Sequence, residues 1–283
     1  MRLRYIKDRI FLVMICTSSS IIAIPLLSIV WKVVSKGYKQ ISIDFFTQKI
    51  PNSWEAAIAL QNGSIIPGGI APGITGSLFM VAVASLIAIP LGIMIGVYLS
   101  ENTNSKYASI VRFISDLLQG VPSIVIGIII YSWIVTTLKS YSALAASLAL
   151  TIMMLPMIIR STEETLKMLP NSLKESALAL GASRIKTTFF IIIPSAFSGI
   201  FTGILLSVSR VIGETAPLLL TSLGSSSVNW NIFSPTSSIP TLIWDFYNDP
   251  NLLNMVWSSS LILLTIVFIL NYIAKTVSQS RNN

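Results

Sequence analysis

Residues 71–99 read APGITGSLFMVAVASLIAIPLGIMIGVYL, without a single charge. About 20 consecutive apolar residues suffice to cross a bilayer as a helix. This stretch therefore sets the fold class, an all-α integral membrane protein. Five further runs of that size flank it, so six transmembrane helices are expected: 10–31, 73–99, 117–138, 140–159, 189–220 and 256–274. The composition agrees, with 53% hydrophobic and 11% charged residues and a mean hydropathy of +0.77. Soluble domains carry about 25% charged residues. So little charge cannot cover the surface of a 283-residue globule, which excludes a soluble enzyme, a disordered chain and a collagen-like one.

Other chemistries are excluded as well. One cysteine, Cys16, allows no intrachain disulfide and no thiolate metal site. The absence of histidine removes imidazole ligands, Ser-His triads and His proton relays. Arg2, Arg4, Lys7 and Arg9 before the first run resemble the start of a signal peptide. The apolar part exceeds the 7–15 residues or so of such a signal, so an uncleaved span is expected behind a cytoplasmic segment, residues 1–9.

Basic residues orient the spans. Arg160, Lys167, Lys174, Arg184 and Lys186 follow the fourth span, whereas Ser222–Met255 carries no Lys or Arg. With the N-terminus inside, 13 of the 19 basic residues are cytoplasmic, among them Lys106, Arg112, Lys275 and Arg281. Five, including Lys139, are outside, and Arg210 lies within a span. Both termini are then expected in the cytoplasm of a bacterium, beneath its inner membrane. The net charge of +8 marks the inner face of a bilayer, and no nucleic-acid partner is needed to explain it. Two longer segments, 35–70 and 222–255, are expected outside the bilayer. The second carries Trp230, Trp244, Phe246 and Tyr247, with Trp257 just beyond it, which suit an interfacial belt or plain loop packing. Gly92 with Gly96, and Gly199 with Gly203, form two GxxxG pairs that can mark close helix crossings.

The cytoplasmic loop 160–188 reads as helical. Ser161 or Thr162 can cap a helix holding the favourable pair Glu163 and Lys167, and Pro170 and Asn171 break it. Ser172 with Glu175 reads as a capping box for a second helix over Leu173–Leu180, ended by Gly181. Leu173, Ala177 and Leu180 share one face. A short helix with small residues at the cytoplasmic face suits insertion into a groove on another protein.

Glu175-Ser176-Ala177, then Gly181, then Ile191 and Pro194, resembles the EAA loop of ABC-importer permeases. Ser176 stands where that pattern has its first Ala, and Ile193 where it has Leu. The run Val208-Ser209-Arg210-Val211-Ile212-Gly213-Glu214-Thr215-Ala216-Pro217-Leu218 resembles the fifth span of phosphate permeases of the PstA type. Gln119-Gly120-Val121-Pro122-Ser123, opening the third span, is similar to that family too. The resemblance covers nearly the whole chain. It implies the type I ABC-importer permease architecture, with no cofactor held by this chain. It also implies a second permease (PstC type), a cytoplasmic ATPase dimer (PstB type) that uses ATP and Mg, and an extracytoplasmic phosphate-binding protein (PstS type). Glu175, Ser176, Ala177 and Gly181 would form the ATPase-coupling helix.

Arg210 and Glu214, four apart, are expected on one helix face. A charge inside a span costs from about 2.5 kcal/mol upward and is normally paired and turned inward. Two readings stand: a salt bridge that neutralises both, or a pathway in which Arg210 grips two oxygens of a tetrahedral oxyanion while Glu214 limits the grip. The resemblance adds Thr215 to that pathway. The chain has no G-x-x-x-x-G-K-[ST], so ATP hydrolysis is not expected here. The expected function is the permease subunit of an ATP-driven phosphate importer. The alternatives are a permease for sulfate or molybdate, and an ATP-independent secondary carrier, which has no use for an ATPase-docking helix.

Overall fold

The computed structural model describes residues 2–279, with side chains from Lys7 to Ser278. The side chains of Arg2, Arg4 and Arg281, used above for orientation, lie outside the described residues. All regular elements among the described residues are helical. In chain order they are α1 (Arg2–Gly37), α2 (Ile43–Thr47), α3 (Ser53–Gln61), α4 (Ala71–Glu101), α5 (Lys106–Gly120) and α6 (Ser123–Ile130). A π-helical turn, Tyr131–Val135, continues α6 into α7 (Thr136–Leu138). Next come α8 (Ala143–Lys167), α9 (Asn171–Ala179) and α10 (Arg184–Thr187). A second π turn, Thr188–Ile192, leads through α11 (Ile193–Ser195) to α12 (Phe197–Val211). The chain ends with α13 (Ala216–Thr221), α14 (Ile239–Tyr247) and α15 (Leu253–Gln279).

Four helices, α1, α4, α8 and α15, are long and apolar enough to cross a membrane singly, and two bent pairs bring the spans to six. The bends correct two expected boundaries. The third span does not begin at 117, because the chain turns by 103° between α5 and α6. Pro122 has no N–H to continue α5, and it holds Val121 extended at ψ 128°. Leu117–Gly120 therefore end an amphipathic helix, and the span starts at Ser123. The fifth span is not continuous over 189–220. It bends by 69° at Ala196, two residues after Pro194, and α12 stops at Val211. The second break falls at Ile212–Thr215, ahead of Pro217, which sits in the first turn of α13. A Pro there loses no hydrogen bond, since the first N–H groups of a helix have no partner within it.

The expected cap at Ser161 or Thr162 is absent, because α8 runs through both to Lys167. The fourth span and the first part of the loop expected over 160–188 are thus one helix. It is the axis of the bundle, burying Ala145, Ala146, Ala149, Leu150, Met154 and Ile158. Both glycine pairs pack against it. A Cβ on Gly92 would lie 2.6 Å from Ile158 Cγ2, and one on Gly96 2.6 Å from Thr162 Cβ. On another flank, a Cβ on Gly199 would overlap Thr165, and one on Gly203 would overlap Ser161. Small residues let the backbones approach in this way. The registers run 92 with 158 and 96 with 162, so α4 is parallel to α8. They run 199 with 165 and 203 with 161, so α12 is antiparallel to it.

Two ends of the bundle can be told apart. Ser258 Oγ donates to Gly37 O at 2.6 Å, so the end of α1 meets the start of α15 and the two helices are antiparallel. The described ends of both therefore lie on one face. The last residue of α4, Glu101, accepts from Lys174 Nζ at 3.2 Å, which places α9 at that face as well. At the other end, Ser142 N donates to Thr221 O, Ala143 N to Ser234 O and Ile50 N to Ser226 O. These bonds join the two longer segments into one cap. Its core holds Phe45, Ile66, Ile70, Leu242 and Phe246. Phe246 is therefore a packing residue, whereas Trp230, Trp244 and Tyr247 remain exposed as a belt residue must.

Candidate functional site

Two places carry the residues singled out by sequence, and they lie apart. The first is the connection from α8 to α12. Pro170 breaks the chain after α8, and α9 begins directly at Asn171. The expected capping box is not formed: no side chain caps α9, and Ser172 lies inside its first turn. The C-terminal end follows expectation. Gly181 has φ +85°, Ala182 N donates to Ala177 O at 3.2 Å and Gly181 N to Leu178 O at 3.0 Å. This is the Schellman arrangement, in which the left-handed residue satisfies the last carbonyls of the helix. Open space surrounds the position a Gly181 Cβ would take, so φ alone demands glycine there.

α9 offers Glu175 and Ser176 to the outside, while Ala177 is buried against its own protein. Ala177, expected among the ATPase-coupling residues, is thus a packing residue of α9 and not part of its outer surface. Leu180, expected on the same face as Ala177, is 89% exposed at the helix end. Met168 and Ile185, before and after α9 in the chain, are exposed as well. Sequence reading placed Leu180 on one face with Leu173 and Ala177 and did not single out Met168 or Ile185.

The loop is tied to the bundle by two acidic residues. Glu101 accepts from Lys174 on α9 and from Thr188 Oγ1 at 3.0 Å, so the end of α4 holds both sides of the loop. Glu163 is buried and accepts from Lys167 Nζ at 2.5 Å and from Arg112 Nε at 2.7 Å. Arg112 also donates Nη1 to Thr103 O and Nη2 to Leu99 O. Sequence reading found the Glu163–Lys167 pair but not Arg112, which is 51 positions away and carries no local signal. A cavity of about 360 Å³ lies behind α9, lined by Ser100, Glu101, Lys167, Asn171, Lys174 and Thr188 among others.

The second place is the end of α12. Arg210 is in its last turn, and Glu214 lies beyond the helix, on the turn that follows. Their Nε–Oε1 distance is 3.9 Å, with Arg210 47% and Glu214 18% exposed. The pair is brought together, but loosely. Arg210 Nη1 also lies 3.6 Å from Met157 Sδ on α8. Thr215 precedes α13, and its carbonyl accepts from Leu219 N at 3.0 Å without a side-chain cap. Gly213 is not a crossing point, since a Cβ there would meet only Arg210 O, at 3.7 Å. Close packing occurs one layer across, where a Cβ on Gly127 would lie 2.8 Å from Pro217 Cα.

Residues 88–282 match the family described as binding-protein-dependent transport system inner membrane component. Phosphate transport system permease protein PstA of Haemophilus influenzae is 35% identical over 89% of this chain and 87% of its own length. The protein of the same description from Mycobacterium leprae is 37% identical over 93% and 86%. Among solved structures, an inward-facing conformation of the MetNI methionine ABC transporter aligns with a TM-score of 0.62. It covers 74% of this chain and 94% of that one at 18% identity, a likeness of fold. With bent spans and this sequence agreement over most of its length, the chain belongs to the inner-membrane permeases of binding-protein-dependent transport systems, in the PstA-type branch.

Proposed function

We propose that the chain conducts phosphate as one of two permeases in an ATP-driven importer of a bacterial inner membrane. The observation that carries the substrate reading is the identity of more than a third to PstA of Mycobacterium leprae over 93% of this chain. The state of Arg210 supports it. Among the described residues only a 3.9 Å ion pair and a thioether meet its guanidinium, which leaves most of its fork for a second anion. A transit site must release what it receives, and Glu214 on the next turn weakens the grip. Thr215 would add a hydroxyl to the same pathway.

The second permease would be of the PstC type and would share a central pathway with α12. An ATPase dimer of the PstB type would bind ATP and Mg and receive α9, with Glu175, Ser176 and the Gly181 turn at the contact. A phosphate-binding protein of the PstS type would dock on the opposite cap. Both termini and α9 would be cytoplasmic, an orientation supported by the Lys and Arg residues at that end. The mechanism is alternating access. Closure of the ATPase dimer moves α9, and the bond pair at Glu101 carries that movement to α4 and to the lead-in of α12.

The test is uptake of labelled phosphate by cells that depend on this chain, with unlabelled competitors. Excess phosphate should abolish the signal, while sulfate and molybdate at the same concentration leave it unchanged. Suppression by sulfate or molybdate as strong as by phosphate would favour the permease for another oxyanion.

A further inference from the structure

Arg160 was counted with the loop by sequence, yet it lies on α8 one turn from Met157, the residue that touches Arg210. α8 and α12 are antiparallel, with 203 opposite 161, so Arg210 stands opposite about residue 154. Arg160 is then about 9 Å further toward the α9 end, at 1.5 Å per residue. Met157, Arg160, Glu164, Leu206 and Gln119 line one cleft of about 310 Å³. Each arginine has a glutamate four residues on. Arg160 Nε meets Glu164 Oε1 at 2.8 Å, as Arg210 Nε meets Glu214 Oε1 at 3.9 Å. From the cap toward α9 the order is Glu214, Arg210, Met157, Arg160, Glu164.

Arg112 shows what a structural arginine looks like in this protein. Its Nε, Nη1 and Nη2 are all donated, to Glu163, Thr103 O and Leu99 O. Arg160 donates only Nε among the described residues, and its side chain is 47% exposed. Its two Nη groups are free to hold two oxygens of one tetrahedral anion. A charge on a span is not left facing lipid, so this face opens on water or on protein.

We propose that Arg160 is a second oxyanion station, on the α9 side of Arg210, and that Glu164 sets its release as Glu214 does for Arg210. The inference rests on the reading of the Arg210 face as the pathway. Two stations in series let an anion leave one arginine for the next, so neither has to bind it tightly.

The probe is Leu206→Cys, between the two arginines on the cleft, with Cys16→Ser, in the assembled transporter. Labelling of this chain by an anionic methanethiosulfonate is followed by mass, with inorganic phosphate or with chloride at equal ionic strength. Phosphate should slow labelling roughly threefold or more, as expected for a charge within about 10 Å. Arg160→Gln with Glu164→Gln should abolish that protection, and Arg160→Lys should reduce it. Arg210→Gln with Glu214→Gln should leave part of it. Full protection in the Arg160 pair variant, with loss in the Arg210 pair variant, would overturn the second station and leave the pathway reading intact. A Cys at 206 that no aqueous reagent reaches would sink both.

Discussion

At the residue scale, Arg210 decides between a salt bridge and a pathway. If it only neutralises Glu214, Arg210→Gln with Glu214→Gln leaves neither charge unpaired and should transport normally. If it handles the anion, the double variant regains membrane abundance without regaining phosphate uptake. Arg210→Lys should also be impaired, since an ammonium keeps the charge but loses the two-point fork. The guanidinium of Arg210 favours the second pattern: among the described residues it meets only Glu214 at 3.9 Å and a thioether at 3.6 Å, whereas Arg112 donates Nε, Nη1 and Nη2 to protein oxygens. Abundance and uptake measured on the same cells check this, and substantial uptake by the double variant would leave the salt bridge as the whole role. The sequence made Arg210 visible because a charge in an apolar run stands out. Arg160 was not visible, because the fourth apolar run ends beside it and its helix continues unseen.

At the scale of elements, α9 depends on one backbone angle and one exposed carboxylate. Gly181→Ala puts a Cβ into a left-handed conformation at a cost on the order of 1 kcal/mol and should loosen the end of α9. Glu175→Lys reverses charge on the outer face. Both should lower recovery of the ATPase with the purified permease at unchanged permease abundance. Undiminished recovery with normal uptake would remove α9 from coupling. The glycine seams make a separate claim about stability. Gly203→Val should destabilise by about 1–3 kcal/mol, since its Cβ overlaps Ser161 on α8. Gly120→Ala, with open space around it, should be nearly neutral. Thermal unfolding of the purified complex compares the two.

The elements also show what apolar runs reveal and what they hide. Run length marked six apolar stretches, of which four are single long helices and two are bent pairs, because crossing a bilayer demands such length. The bends were hidden, since hydropathy has no direction. Pro122 was read as opening a span when it divides α5 from α6, and the turn at Ile212–Thr215 fell inside what read as one span over 189–220. Ser161 and Thr162 read as caps, yet Ser161 O accepts from Thr165 Oγ1 at 2.7 Å within a continuous helix. Ser and Thr can bond back along a helix as well as cap one, and local sequence does not separate the two uses.

At the scale of the whole molecule, the fold is an axis with two ends. α8 carries α4 on one flank and α12 on another, so a displacement at its Lys167 end is shared by both. The face with α9 is basic, and the opposite face is a cap knitted by backbone bonds between segments far apart in sequence. That polarity fixes where each component of an importer must act. The decisive measurement is phosphate accumulation in vesicles that hold the full complex, with ATP confined to one side and the loaded binding protein to the other. Ser172→Cys labelling reports which side carries α9. The account predicts accumulation only when ATP is on the α9 side, with phosphate moving toward it. Accumulation without ATP, or driven by ATP supplied only on the cap side, would contradict it.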